Sequence, residues 1–156
     1  MKIRRLFPLA CALVLAGASA YATAADPRGH YLTASGNLEV DVAPCGDALC
    51  GVVSKVIANQ SMSRPGEAMQ AVDTRPALGI KILIDFRAEG SDSAPRSWHG
   101  QIYNRENGKT YECKMSLDDK GNLVLRPYIG LPLFGKTQVW QRQDETNAPA
   151  KQEASK

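Results

Sequence analysis

In the stretch NLEVDVA, residues 37–43, Leu38, Val40 and Val42 alternate with Asn37, Glu39 and Asp41. A period of two puts every apolar side chain on one side of a pleated strand, and no helix gathers such residues on one face. The pattern returns along the chain. Ile80, Ile82, Ile84 and Phe86 share one parity in IKILIDFR, and Tyr111, Cys113, Met115 and Leu117 share one in KTYECKMSL. Further segments of this kind are GHYLT from Gly29, LCGVVSKVI around Val52, SWHGQIY from Ser97, NLVLRPYI around Leu125 and KTQVWQR around Val139. Eight short strands are therefore predicted. Turns are expected at Ser35-Gly36, Asn107-Gly108 and Asp118–Gly121. Beyond the N-terminal region no ten-residue stretch carries a helical apolar stripe.

Short strands with one apolar face predict an all-β domain. An antiparallel up-and-down meander of eight strands, closed into a barrel, leaves no sheet edge open. A two-sheet β-sandwich is the alternative, because the same spacing suits it. One connection breaks the regularity: ANQSMSRPGEAMQAVDTRPAL, residues 58–78. A loop of that length in a small domain is either a functional lid or a solvated excursion, with one helical turn expected around Glu67–Ala71.

The two ends of the chain read differently from its middle. Lys2, Arg4 and Arg5 precede the apolar run LFPLACALVLAGASA, which exits through small residues. This predicts a secretory signal peptide over residues 1–25, cut after Ala20, Ala22 or Ala24, and too short for a good membrane span. Export to the periplasm or the medium follows. The last residues, 144–156, lack periodic apolar side chains and read as a disordered tail, leaving 26–143 for one domain. The full chain has 19 Lys and Arg against 16 Asp and Glu. Without the leader's three cations the balance is even, so no basic stripe argues for nucleic acid or for anionic lipid.

The pair in PCGDALCG, Cys45 and Cys50, flanks a Gly-Asp turn. A hairpin here sets the two cysteines across its mouth at disulfide distance, in an oxidising compartment where such bridges persist. A redox pair is usually Cys-x-x-Cys opening a helix, and a zinc site has only Cys113, His30 and His99 to draw on besides the pair. The staple is the preferred reading of the three. Cys113 lies on an apolar strand face and is expected to be a buried thiol. His99 has outward parity. No Gly-rich phosphate loop, His-Glu-x-x-His or Gly-x-Ser-x-Gly is present, and the preferred reading of Asp73 beside Arg75 is a surface ion pair. No catalytic residue, metal or cofactor is predicted.

Taken in order, Gly29-His-Tyr31, CGDALCG, Arg75-Pro-Ala-Leu-Gly79, Trp98-His-Gly-Gln-Ile-Tyr103, Gly108-Lys-Thr-Tyr111, Leu125-Arg126-Pro-Tyr128-Ile-Gly130 and Gly135-Lys-Thr-Gln-Val-Trp140-Gln-Arg142 resemble the exported bacterial family called domain of unknown function 2147. The resemblance runs from Gly29 to Arg142. It implies a lipocalin-like (calycin) barrel in which an arginine of the last strand covers an aromatic residue of the first, here Arg142 over Tyr31. The family pattern has Trp at the position of Tyr31, and glycine at Pro127. The family carries no settled activity.

Three functions remain open on these residues. A barrel of this size either fills with side chains or holds one ligand. The first reading is a binder of a small, mostly apolar molecule, met by Phe86, Trp98, Ile102, Tyr111 and Met115 inside, with Arg75 and Arg126 near an opening. The second is a cell-envelope interaction protein with a solid barrel, and the third an enzyme with an unrecognised site. The binder is preferred, with no nucleic acid and no stable membrane anchor among its partners; oligomeric state is left open.

Overall fold

The computed structural model describes residues 26–90 and 95–143. The predicted leader, 1–25, and tail, 144–156, lie outside the described residues. The strands are β1 (Gly29–Leu32), β2 (Leu38–Cys45), β3 (Ala48–Val56), β4 (Lys81–Ala88), β5 (Ser97–Asn104), β6 (Lys109–Leu117), β7 (Leu123–Tyr128) and β8 (Gln138–Arg142). Each pairs antiparallel with the next, and β8 returns to β1, so the sheet is a closed up-and-down barrel and not a sandwich. A short 3-10 turn, Pro132–Phe134, is the one helical element among the described residues. Among the described residues no helix is long and apolar enough to cross a membrane.

The alternation does what its period requires on most strands. Val40 and Val42 of β2, Trp98 and Ile102 of β5, Cys113 and Met115 of β6, and Leu123 and Leu125 of β7 all point inward and are buried. β4 departs. The expected face of Ile80, Ile82, Ile84 and Phe86 is broken by bulges, where its register against both β3 and β5 shifts. Ile82 and the adjacent Leu83 are both buried, while Ile84 pairs with the exposed Gln101 on the outer side. Asp85 takes a positive φ of 53°, a conformation Asp tolerates better than most residues, and the chain then turns Phe86 inward. Two glycines receive these side chains. A Cβ on Gly51 would stand 2.8 Å from Leu83, and one on Gly100 would stand 2.7 Å from both the Ile84 carbonyl oxygen and the Phe86 ring.

The Cys45–Cys50 bridge forms, with Cα atoms 5.8 Å apart. The cysteines are not direct partners, since Cys45 pairs with Ala48 and Cys50 with Ala43 across a two-residue turn at Gly46 and Asp47. They are diagonal neighbours on the outer face, a separation the pleat still supplies. The loop of residues 57–80 forms no helical turn at Glu67–Ala71; it closes instead through an isolated bridge between Gln60 and Ala68.

The last seam of the barrel is also its shortest. β1 and β8 share two paired positions, Tyr31 with Arg142 and Leu32 with Gln141. The Arg142 guanidinium lies 5.0 Å from the Tyr31 ring centroid and donates to the carbonyls of Asp26 (2.7 Å), Arg28 (3.0 Å) and Gly121 (3.0 Å). The fully buried Tyr31 donates its hydroxyl to the Pro27 carbonyl, and burial pushes its pKa up to about 12.

Two outcomes follow for stability. Gly100→Ala forces backbone and ring apart at a site with no room, and should cost about 1–3 kcal/mol in urea unfolding. Arg142→Ala leaves three carbonyls and an aromatic face uncovered and should cost about 2 kcal/mol or more, with Arg142→Lys recovering only part because a lysine lacks the fork. A wild-type midpoint for either alanine variant would refute the corresponding contact.

Candidate functional site

In an up-and-down barrel the C-terminal ends of odd strands and the N-terminal ends of even strands meet at one rim. Here that rim carries the loops of residues 33–37, 57–80, 105–108 and 129–137. Below it the barrel divides into two halves. The half nearer Arg142 is solid: Phe86, Trp98 and Met115 are 1%, 4% and 1% exposed and pack against one another's strands in the core. The half under the loops holds a cavity of about 630 Å³. Its floor and walls include Ile82, Ile102, Tyr111 and Trp140; Met62 and Met69 reach over it from the long loop, and Phe134 from the β7–β8 loop. The polar lining is confined to the rim, with Asn59, Asn104, Arg105, Glu106 and Lys136.

Why the upper half stays open can be read from the residues. Leu83 and Phe86 cross the lower barrel because Gly51 and Gly100 give them space. Above them Leu38, Val56, Ile82, Ile102 and Tyr111 wall the cavity. Trp140 stays against the wall, its indole N–H donating to Gln138 at 3.3 Å. The Tyr111 hydroxyl is tied to Asn107 at 2.7 Å.

The long loop is pinned across the mouth by polar side chains on its neighbours. The buried Asn37 accepts from the Gln60 N–H (3.0 Å) and donates to the Gln60 carbonyl (2.8 Å), while its own carbonyl accepts from Ile57 and Ala58. The β5–β6 turn holds the rest. Glu106 accepts from the hydroxyls of Ser61 and Ser63 and from the Met62 N–H. Asp73 accepts from Arg75 and from the Tyr103 hydroxyl (2.8 Å), and Arg105 donates to the carbonyls of Asp73 (3.1 Å) and Arg75 (2.6 Å). The loop of residues 57–80 is thus a fixed lid with its own docking turn.

Sequence reasoning and structure place the candidate residues differently. Ile102 and Tyr111 line the cavity. Phe86, Trp98 and Met115 do not; they lie in the lower half, where they form the solid core instead. Arg75 is on the lid, exposed and engaged with Asp73, and is not part of the wall. Arg126 lies outside the wall too, holding the carbonyls of Pro132 (2.6 Å) and Leu133 (2.9 Å). Among the lining residues missed were Leu38, Val56, Met62, Met69, Phe134 and Trp140. For Leu38 and Val56 the topology was a usable signal, since they stand at strand ends that share the rim. The two methionines and Phe134 sit on loops, where periodicity is silent.

Reactive chemistry is sparse. Cys113 is buried, and burial pushes its thiol up to about 12, so it is protonated at neutral pH. His99 stands on the outer wall, bonded to the Tyr128 hydroxyl (2.9 Å) and close to Glu112 (3.1 Å). Among the described residues no three His, Cys, Asp or Glu side chains are grouped closely enough to hold a metal ion.

The lid ties titrate. The Arg75 guanidinium, and then the Tyr103 hydroxyl, hold Asp73 below the usual carboxylate range; the Ser61 and Ser63 hydroxyls do the same for Glu106. A carboxyl depressed in the native state stabilises it fully above the ordinary carboxylate range, and that contribution fades as pH falls through the range toward the native value. Amide protection over residues 57–80 should therefore drop below about pH 4–5 while the barrel strands stay protected. Asp73→Asn with Glu106→Gln should loosen the lid already at neutral pH and flatten that dependence; an unchanged acid profile would place the ties elsewhere.

The family model that matches residues 29–142 is described as an uncharacterized protein conserved in bacteria (DUF2147). Among solved structures the chain is similar to the protein HP1028 from the human pathogen Helicobacter pylori, which is described as belonging to the lipocalin family. The TM-score is 0.54 at 19% identity, over 78% of this chain and 85% of that one, a likeness of fold alone. No curated protein matches. With its model spanning β1 to β8, the DUF2147 family is the one to which this chain belongs, built on a lipocalin-like barrel.

Proposed function

We propose that this protein is an exported binder of a small, mostly apolar molecule, held in the upper half of the barrel beneath the lid. The observation that carries the reading is the cavity of about 630 Å³, within the range of about 300–1,000 Å³ in which small-molecule sites fall. Its apolar floor and polar rim suit a ligand with a hydrophobic body and a polar end near Asn104, Arg105 and Lys136. Met62 and Met69 support this as well, because flexible thioethers adapt to irregular apolar shapes.

Binding is favoured over catalysis by what the ionisable rim groups already do. Asp73 and Glu106 spend their acceptor capacity on the lid, and neither carries the raised pKa of a general acid. The outer-face disulfide supports export, since such bridges persist in oxidising compartments. The solid lower half is what a purely structural barrel would show throughout. It is confined to the level of Gly51 and Gly100, which is why the binder takes precedence.

The test compares native and denaturing mass spectra of protein exported by a bacterial host. A ligand should appear as extra native mass that denaturation removes, and the bare chain should run two hydrogens light for the bridge. Ala77 is buried at the cavity wall, and Ala77→Phe should fill the mouth. It should weaken a bound fluorescent fatty-acid probe by about tenfold or more, the cost of displacing roughly one large apolar contact. Wild-type probe affinity in that variant, with no native adduct, would overturn the reading.

A further inference from the structure

The loop of residues 129–137 presents more apolar surface than a folded barrel needs. Ile129, Leu131, Leu133 and Phe134 are 77%, 61%, 77% and 75% exposed, on one short segment built around the Pro132–Phe134 turn. Single exposed apolar residues are ordinary, but a contiguous group on a loop marks a surface that meets something apolar. Across the same mouth Val56 and Met62 are about half-exposed, and they line the cavity together with Ile129 and Phe134. The apolar surface therefore rims the opening.

The backbone of this loop is prepared for a dry environment. The Leu131 carbonyl accepts from the Phe134 N–H, the Pro132 carbonyl from the Gly135 N–H and Arg126, and the Leu133 carbonyl from Arg126. Pro132 has no N–H to satisfy. Carbonyls already bonded within the protein lose little when water leaves, whereas free ones are costly to desolvate. A protein partner could supply hydrogen bonds of its own at such a site; a lipid tail region cannot, and this loop asks for none at those three carbonyls.

Charge points the same way. The even balance of the sequence beyond its leader does not extend over the surface. Among the described residues, Lys81, Arg105, Lys109 and Lys136 at the rim have no carboxylate partner. Glu106 is the carboxylate there without a cation, because Glu39, Glu67 and Asp73 are paired with Lys55, Arg64 and Arg75. At the opposite end Asp47, Asp118 and Asp119 stand against Arg96, Lys120 and Arg142. The excess of positive charge sits where the apolar loop is. Exposed apolar side chains ringed by cations are the combination that holds a protein at an anionic lipid surface.

We propose that the β7–β8 loop docks the open end of the barrel reversibly onto an anionic phospholipid bilayer, with Leu131, Leu133 and Phe134 entering the interface and Lys81, Lys109 and Lys136 facing the headgroups. Docking of this kind sets the cavity mouth against the lipid. It does not depend on the cavity being filled, so a failure of ligand binding and a failure of docking are separate results.

The experiment uses protein exported by a bacterial host, mixed with vesicles of phosphatidylcholine alone or with phosphatidylglycerol. Phe134→Trp reports the loop itself: its emission should shift to the blue only with the anionic vesicles, and less in high salt. In co-sedimentation, Leu133→Ser with Phe134→Ser should cut partitioning by about tenfold or more. Lys136→Glu should cut it about fivefold or more, and Val139→Ser, a control on the barrel wall, should leave it unchanged. Urea midpoints of these loop and wall variants should match the wild type, because the side chains altered in them are exposed. Ala77→Phe should bind vesicles normally even where it loses the probe. Equal partitioning of wild type and the double serine variant, or an emission that does not move, overturns the proposal. A dimer that only the serine variant abolishes, with no vesicle binding by either, overturns it in favour of a contact between copies.

Discussion

The closure of the barrel between its first and last strands is the contact on which the rest of this structure depends. β2 and β3 pair through eight positions, while β1 and β8 share only two. A seam so short does not hold by ladder hydrogen bonds alone. Arg142 compensates from the side, covering Tyr31 and binding carbonyls of both the segment before β1 and the β6–β7 turn. Its backbone N–H donates to Asn122 as well, so three elements converge on one residue. Were that end to open, the up-and-down sheet would regain two edges and lose the enclosed side on which every inward residue relies.

Closure also explains the unequal halves. A short barrel has to bend its strands, and β4 takes much of that bend through its bulges. The bulges rotate Leu83 and Phe86 inward at the level of Gly51 and Gly100, where there is room for them and for nothing more. The lower half becomes a packed core in consequence, and the upper half keeps the space that those side chains do not reach. The long lid loop then rests on the β5–β6 turn, through Glu106 and Arg105, rather than on the barrel wall. Most of the packed core is thereby set apart from the cavity along the barrel axis, with Ile82, Ile102 and Trp140 belonging to both.

Much of this was legible from the residues. The eight strands fall where the alternation of apolar side chains places them, and the hairpin bridge lies where PCGDALCG suggests. The stacking of Arg142 on Tyr31 agrees with what the family resemblance implies. The candidate site was read less well. Of Phe86, Trp98, Ile102, Tyr111 and Met115, only Ile102 and Tyr111 border the cavity, because parity says which side of a strand a residue faces and not how far down the barrel it lies. The face expected for β4 failed at Ile84, where the bulges shift the parity before the turn at Asp85 brings Phe86 inward again.

By itself the sequence determined the class of fold, the order of the strands, the turns and the disulfide, since each depends on residues close together in the chain. Periodicity, turn chemistry and cysteine spacing are local properties. The tertiary structure alone decided the depth at which side chains cross the barrel, the docking of residues 57–80 on Glu106, and the gathering of Lys81, Lys109 and Lys136 at one rim. Those arrangements join residues tens of positions apart, and only the closed register of the barrel brings them together. An even charge count along the chain is compatible with an excess of cations at one rim, because space, not sequence, determines which charges are neighbours.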